Sequence, residues 1–171
     1  CRHTRKHVTV ALSGDGADEL FSGYNKHAAE FRARNLGMKE QIVAALKPLW
    51  FLLPASRNSS FGNTVRQLQK FSEGVSLGAK DRYWNWASFW SADQVDKLTR
   101  DKVDSVQLEN RKVALTSELG TTNDLDEVLY TDLHQVLRND MLTKVDLMSM
   151  ANSLEVRVPF LDHEIVEFAC S

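Results

Sequence analysis

Only one stretch of this chain reads plainly as a β-strand, and the turn at its end restricts the fold. Val8, Val10 and Leu12 alternate with Thr9 and Ala11. The run then meets Ser13, Gly14, Asp15 and Gly16 before an acidic helix start at Asp18 and Glu19. This pattern is strand, tight turn and helix. Two glycines two residues apart let backbone approach a ligand without Cβ interference. Amides at a following helix start favour an anionic or metal-bound phosphate group. Asp15 and Asp18 then fall at the carboxyl end of a strand, where open α/β sheets place their ligands. A Gly-x-Gly of this length also serves as an ordinary strand-to-helix turn, so from these residues alone both readings stand.

Beyond that turn the periodicity is helical almost throughout. Ala17 to about Leu36 is predicted as one helix, with Leu20, Tyr24, His27 or Ala28 and Phe31 on one face and Gly37 as its stop. A second helix, from Met38 to about Leu46, is expected to end near Pro48. Trp50 to Leu53 reads as a hydrophobic hinge closed by Pro54, and Ala55 to Asn63 as a loop. Val65, Leu68 and Phe71 mark a helix ending at Gly74. Tyr83, Trp84, Trp86, Ala87 and Trp90 mark another, whose aromatic spacing points to core more than to stacking on a base. Ser91 is the expected cap of a short helix, with Asp93 in its first turn. Val106 to Leu119 is predicted helical up to Gly120. Thr121 to Asp124 cap Leu125 to Leu137, where Leu125, Val128, Leu129, Leu133, Val136 and Leu137 make the clearest amphipathic pattern in the chain.

A lone strand of the parallel type, buried on both faces, needs neighbours, and these are expected N-terminal to Cys1. With its start at Cys1 and its stop at Ser171 just after an amphipathic pattern, the chain is expected to be a piece of a longer protein. An orphan strand with an exposed edge would also favour self-association.

Composition narrows the function classes. The 171 residues are 43% hydrophobic with 8 Phe and 4 Trp, enough for a sizeable core, which excludes whole-chain disorder. A net charge of -2 supplies no global field to recruit nucleic acid or an anionic membrane. The basic cluster Arg2, His3, Arg5, Lys6 and His7 reads as a solvated lead-in to the strand before it reads as a phosphate-binding arm. Cys1 and Cys170 make no disulfide framework and suit a reducing cytoplasm. No run reaches the roughly 18 apolar residues that span a bilayer, and no signal peptide pattern is present.

The second informative stretch runs from Met141 to Phe168. Lys144 and Asp146 lie two residues apart among Leu142, Val145, Leu147, Met148 and Met150, so at least one charge is expected to approach an apolar face. Glu155 and Arg157 repeat this before Val158, Pro159 and Phe160. Buried charges persist only when paired or hydrogen-bonded. The four residues fit either a structural salt-bridge network or a site that converges with Asp15 and Asp18 on a phosphate or carboxylate substrate.

These two stretches carry a resemblance. SGDGADELFSGY (Ser13 to Tyr24) and LTKVDLMSMANSLEVRVPFLDHEIVEFA (Leu142 to Ala169) together resemble the synthetase domain of glutamine-hydrolysing asparagine synthetases and their relatives, including β-lactam synthetases. Both occur in the family's order, with a helical insert between them. The resemblance implies that residues 1–171 are the C-terminal part of the ATP-dependent synthetase domain. That part would be mainly α here, cut from a Rossmann-like α/β domain of the adenine nucleotide alpha hydrolase type and truncated at both ends.

The implied reaction uses ATP to adenylate the side-chain carboxylate of aspartate, releasing pyrophosphate. Ammonia from glutamine, delivered by a separate N-terminal glutaminase domain, then attacks the acyl-adenylate. ATP and Mg2+ are the implied cofactors, and a homodimer is among the implied assemblies. By position, Ser13 and Gly14 match residues that contact the nucleotide, and Asp15 matches the acid important to the aspartyl-adenylate. Asp18 matches the carboxylate that helps hold magnesium and pyrophosphate, and Glu155 a substrate-side acid with a part in proton transfer. Lys144, Asp146 and Arg157 are supporting candidates for substrate or pyrophosphate.

The chemistry agrees with this carry-over. Magnesium is usually held by one or two carboxylates plus phosphates, which suits Asp18. Attack by ammonia creates a cationic tetrahedral species that must lose a proton, and Asp15 or Glu155 is the expected base. An acid at Asp15, where β-lactam synthetases have tyrosine, tilts the expected product toward asparagine. The pyrophosphate loop of the family would precede Cys1, and a family lysine would come after Ser171. Cys1 is not read as a glutaminase nucleophile, because Arg2 to Leu12 lead straight into the synthetase strand. Ala17 and Ser22 replace family glycines, and Leu147 stands where arginine is frequent. Residues 1–171 alone are expected to be inactive. Two further readings remain: a relative that amidates or cyclises another carboxylate, and a non-catalytic module that docks through the helices from Thr64 to Leu137.

Overall fold

The computed structural model describes residues 1–90, 92–99, 104–117, 119–122 and 124–171. In chain order the elements are β1 (Val10–Leu12), α1 (Ala17–Phe21), α2 (Asn25–Arg34), α3 (Met38–Ala45), α4 (Lys47–Phe51), α5 (Ser60–Gly74) and α6 (Ala79–Ala87). Then come α7 (Ala92–Leu98), α8 (Ser105–Leu115), α9 (Asp126–Asp132), a π-helical segment (Leu133–Leu142), α10 (Thr143–Met150), β2 (Glu155–Arg157) and α11 (His163–Ala169). Short 3-10 turns cover Thr4–Lys6 and Pro159–Leu161. Cα proximity divides these elements into two compact units, residues 1–27 with 126–171, and residues 28–125.

In the first unit β1 has a partner within the chain. It pairs in parallel with β2, in the register Val10 with Glu155, Ala11 with Val156 and Leu12 with Arg157. The expectation that every neighbour of this strand lies upstream of Cys1 is therefore corrected. The strand is also not buried on both faces, since Val10 is 37% and Leu12 72% exposed. Ahead of β1, Arg5 donates from Nε to the Ser153 carbonyl at 2.7 Å, which fastens the basic lead-in to the turn before β2.

The helix predicted from Ala17 to Leu36 is broken. α1 stops at Phe21, Ser22 adopts the left-handed region at φ 61°, and α2 starts afresh at Asn25. Conversely, the helix predicted from Leu125 to Leu137 continues past its expected end, through the π-helical segment into α10. Each π turn takes in an extra residue. Two side chains obey that wider spacing: Asn139 Nδ2 donates to the His134 carbonyl and Thr143 Oγ1 to the Arg138 carbonyl, both five residues back. The core of this unit comprises Leu20, Val128, Leu137 and Leu154.

The second unit is helical. Pro48 opens α4 instead of merely ending α3, so the expected hinge at Trp50 to Leu53 is largely a short helix. Trp50 Nε1 donates to the Val43 carbonyl at 2.9 Å and ties that helix to α3. The loop predicted up to Asn63 ends earlier, because Ser59 caps α5 by accepting from the Gly62 amide at 3.1 Å. α5 then runs to Gly74 as predicted. Tyr83 is buried and Trp86 stacks on Phe71 at 6.2 Å, a core role, whereas Trp90 is 59% exposed. Lys70 Nζ donates to the carbonyls of Asn85 and Ser88, and its burial lowers its pKa from the usual lysine range. Asp104 caps α8, which stops at Leu115, short of the predicted Leu119. The predicted Ser91 cap and Asn123 of the Thr121 to Asp124 cap lie outside the described residues.

Candidate functional site

The parallel pairing of β1 with β2 brings the two informative stretches together. Leu12 stands opposite Arg157, and the next amide, Ser13 N–H, donates to the Arg157 carbonyl at 2.9 Å. The turn from Ser13 to Gly16 therefore leaves the sheet beside the carboxyl end of β2. Ser13 Oγ donates to Asp15 Oδ2 in a short contact that orients the carboxylate within the turn.

Gly16 adopts φ 93°, a conformation that favours glycine. A Cβ there would overlap the side chain of Leu161, whose Cγ would lie 2.8 Å away. Phe21 meets Phe160 edge to face at 6.3 Å. The VPFL turn of the second stretch thus packs under the start of α1.

Asp18 is exposed in the first turn of α1. Its backbone carbonyl accepts from the Gly23 amide at 3.0 Å, and its carboxylate fills the space beside the Gly23 Cα. A Cβ on Gly23 would overlap Asp18 Oδ1, with Cγ 2.8 Å and Cα 3.1 Å away. Gly23→Ala is expected to swing the Asp18 carboxylate aside and to lower stability by about 1–3 kcal/mol, read from the urea midpoint.

The remaining candidates are spread along the second stretch. Glu155 and Arg157 share one face of β2 and pair with each other, Nε to Oε1 at 2.7 Å, with both side chains more than half exposed. Lys144 and Asp146 lie on α10, both exposed, and their hydrogen bonds stay within their own helical run: Lys144 Nζ to Met141 Sδ, and Ser149 Oγ to the Asp146 carbonyl. The expectation that one of these charges must approach an apolar face is corrected. Leu147, Met148 and Met150 are themselves 56–60% exposed, so on α10 charge and apolar side chains alike face outward.

A buried polar cluster next to the turn was not anticipated. Asp132 and His27 are fully buried, and Glu19 is 1% exposed. Asp132 accepts from Lys26 Nζ through Oδ1 and from His27 Nε2 through Oδ2, each at 2.7 Å. A carboxylate can only accept, so Nε2 is the protonated nitrogen facing it, and His27 Nδ1 is left buried without a hydrogen-bond partner. Tyr24 OH donates to Glu19 Oε1 at 2.7 Å. Burial, reinforced by the Glu19 carboxylate, raises the Tyr24 pKa well above the usual phenol range. One signal was available: Asp132 interrupts the apolar stripe Leu125, Val128, Leu129, Leu133 and Val136, where a solvated aspartate has no place.

The family model described as Asparagine synthase matches residues 1–171. The chain belongs to the asparagine synthase family. Asparagine synthetase (glutamine-hydrolyzing) 1 of Bacillus subtilis is 33% identical over 168 residues, which cover 98% of this chain and 25% of that protein. A Mycobacterium bovis protein whose name places it among the glutamine-hydrolyzing asparagine synthetases is 32% identical over 174 residues, covering 98% and 24%. Asparagine synthetase (glutamine-hydrolyzing) 3 of Bacillus subtilis is 26% identical over 171 residues, covering 98% and 21%. The chain thus spans about a quarter of the length of the curated relatives it matches. No solved structure gives a significant match.

The donor set at the turn suits a hard divalent cation in part. Asp18 offers an exposed carboxylate, and among the described residues no group of three or more His, Cys, Asp or Glu gathers to cage an ion. Magnesium is commonly bound in this incomplete way, by one or two carboxylates with substrate phosphates and water completing the shell. No helix among the described residues is long and apolar enough to cross a membrane.

Proposed function

We propose that this chain supplies part of the site for ATP-dependent amide formation, in which the side-chain carboxylate of aspartate is adenylated and ammonia from glutamine then makes asparagine. The observation that carries the reading is the Ser13 to Arg157 hydrogen bond beside the Leu12–Arg157 register, which sets the family's two motifs side by side at the ends of β1 and β2. In this reading the sheet is part of a larger Rossmann-like α/β domain in the whole protein. A glutaminase domain elsewhere in that protein supplies the ammonia. The reaction runs in the cytoplasm, whose reducing conditions suit the two exposed free thiols, Cys1 and Cys170.

Ser13 and Gly14 hold the nucleotide through backbone, at a turn where a Cβ on Gly14 would have open space around it. Asp18 would hold magnesium and, through the cation, the pyrophosphate group. Magnesium, when bound, neutralises charge on the phosphate oxygens. Asp15, oriented by Ser13, acts on the aspartyl-adenylate. Glu155 takes the proton released when ammonia attacks. Its pair with Arg157 is exposed and contributes little stability, so the two can part when a substrate anion claims the guanidinium. Lys144 and Asp146 are assigned supporting contacts to substrate or pyrophosphate.

The test is the intact protein supplied with ATP, Mg2+, aspartate and either glutamine or ammonia. Aspartate-dependent AMP and asparagine are expected in equal amounts. Turnover with another carboxylate and none with aspartate would overturn the substrate assignment. Residues 1–171 assayed alone are expected to show none, and robust turnover from that piece would overturn that part of the reading.

A further inference from the structure

The buried cluster is not used by the reaction above, yet it surrounds the corner that aims Asp18. The corner consists of Ser22 and Gly23. A non-glycine residue in the left-handed region, as Ser22 is, costs about 1–2 kcal/mol and persists where its surroundings over-determine it. Those surroundings are specific. Just before the corner, Glu19 is buried and accepts from Tyr24 OH, so one hydrogen bond spans it. Just after it, Lys26 and His27, in the first turn of α2, each occupy one oxygen of Asp132, the last residue of α9. The corner is therefore held to α1 by Glu19 and to α9 by Asp132, and the carboxylate of Asp18 rests on its Gly23.

We propose that Asp132 and the Tyr24–Glu19 pair are positioning residues for the Asp18 site: they lock the α1–α2 corner, and through Gly23 the corner sets the direction of the Asp18 carboxylate. This rests on the reading of Asp18 as the magnesium and pyrophosphate ligand. A network that only stabilised the fold would change the melting temperature and leave ligand affinity in the folded protein unaltered. A network that aims Asp18 changes affinity as well. Partners that orient a metal ligand typically matter by 10–100-fold in affinity.

The experiment uses the intact protein with Asp132→Asn, which keeps shape and removes the charge, and Tyr24→Phe, which removes one oxygen. Binding of magnesium pyrophosphate is measured by calorimetry, beside the Mg2+ concentration that half-saturates pyrophosphate exchange. Both variants are expected to bind about 10-fold more weakly and to recover at least half of the wild-type exchange rate at saturating Mg2+. Wild-type affinity in either folded variant overturns the inference, and should Asp132→Asn fail to fold, Tyr24→Phe decides. Asp18→Ala serves as the reference. If it too binds like the wild type, the reading of Asp18 has failed; if it loses binding while both corner variants keep it, the positioning role alone has failed.

Discussion

Asp18→Ala is expected to lower pyrophosphate release by the intact protein at least about 100-fold, the scale of losing one preorganised electrostatic contact to developing charge. The same change should leave the fold intact. Asp18 is exposed; its carboxylate rests on Gly23 and places a negative charge in the first turn of α1, a charge worth at most about 1 kcal/mol. Its backbone contact to Gly23 survives the substitution. The two readouts thus separate cleanly: a large fall in rate with a melting temperature near the wild type assigns Asp18 to the reaction. A near-normal rate would remove it from the metal role. Asp18→Glu provides a third point, since it keeps the charge and lengthens the side chain at a site where Gly23 leaves no slack. Partial activity that rises with added Mg2+ is expected for it.

The features legible in the residues are those set by local patterning. The strand-turn-helix at Val10 to Phe21, the end of α5 at Gly74 and the stop of α3 before Pro48 all obey short-range rules, and all are present. Three features are not set by local patterning. β2 is only three residues long and carries a charge at each end, so no periodicity could mark it; it exists because Glu155 to Arg157 reach the edge of β1. The break after Phe21 is invisible to helical spacing, because Leu20, Tyr24 and His27 do fall on one face. The Tyr24–Glu19 bond and the His27–Asp132 contact flank the left-handed Ser22 where that helix breaks. The charges of α10 sit among apolar residues in sequence but not in an apolar environment, since only Ser149 of that helix is buried. The candidate site shows the same division. Ser13, Gly14 and Asp15 follow one another in a single turn and Asp18 comes just after it in α1, so their grouping is local in sequence. The placement of Glu155 and Arg157 beside them depended on the register.

The largest loss of stability is expected in the second unit, from Glu30→Ala. Glu30 is 1% exposed and accepts from two arginines. Arg82 grips it with both ends of the fork, Nε to Oε2 at 2.9 Å and a terminal nitrogen to Oε1 at 2.6 Å, while Arg34 Nε reaches Oε1 at 2.7 Å. Both arginine side chains are themselves nine-tenths or more buried. Removing the carboxylate leaves two buried cations facing each other across a small void. Breaking a buried pair from one side costs about 3–5 kcal/mol, because the surviving charge keeps its desolvation penalty without its partner. The penalty is bounded by what each arginine retains, which includes the Asp124 carbonyl for Arg34 and the Leu77 carbonyl for Arg82. Glu30→Gln keeps the shape and one acceptor oxygen, so it should fall between alanine and the wild type. Arg82→Met with Glu30→Leu replaces the pair by apolar groups of similar volume and should recover most of the loss, apart from what Arg34 then lacks. Denaturant melts of the four proteins decide the point: a single Glu30→Ala loss below about 1 kcal/mol would mean that water reaches these arginines and that the pair is not the buried clamp its geometry describes.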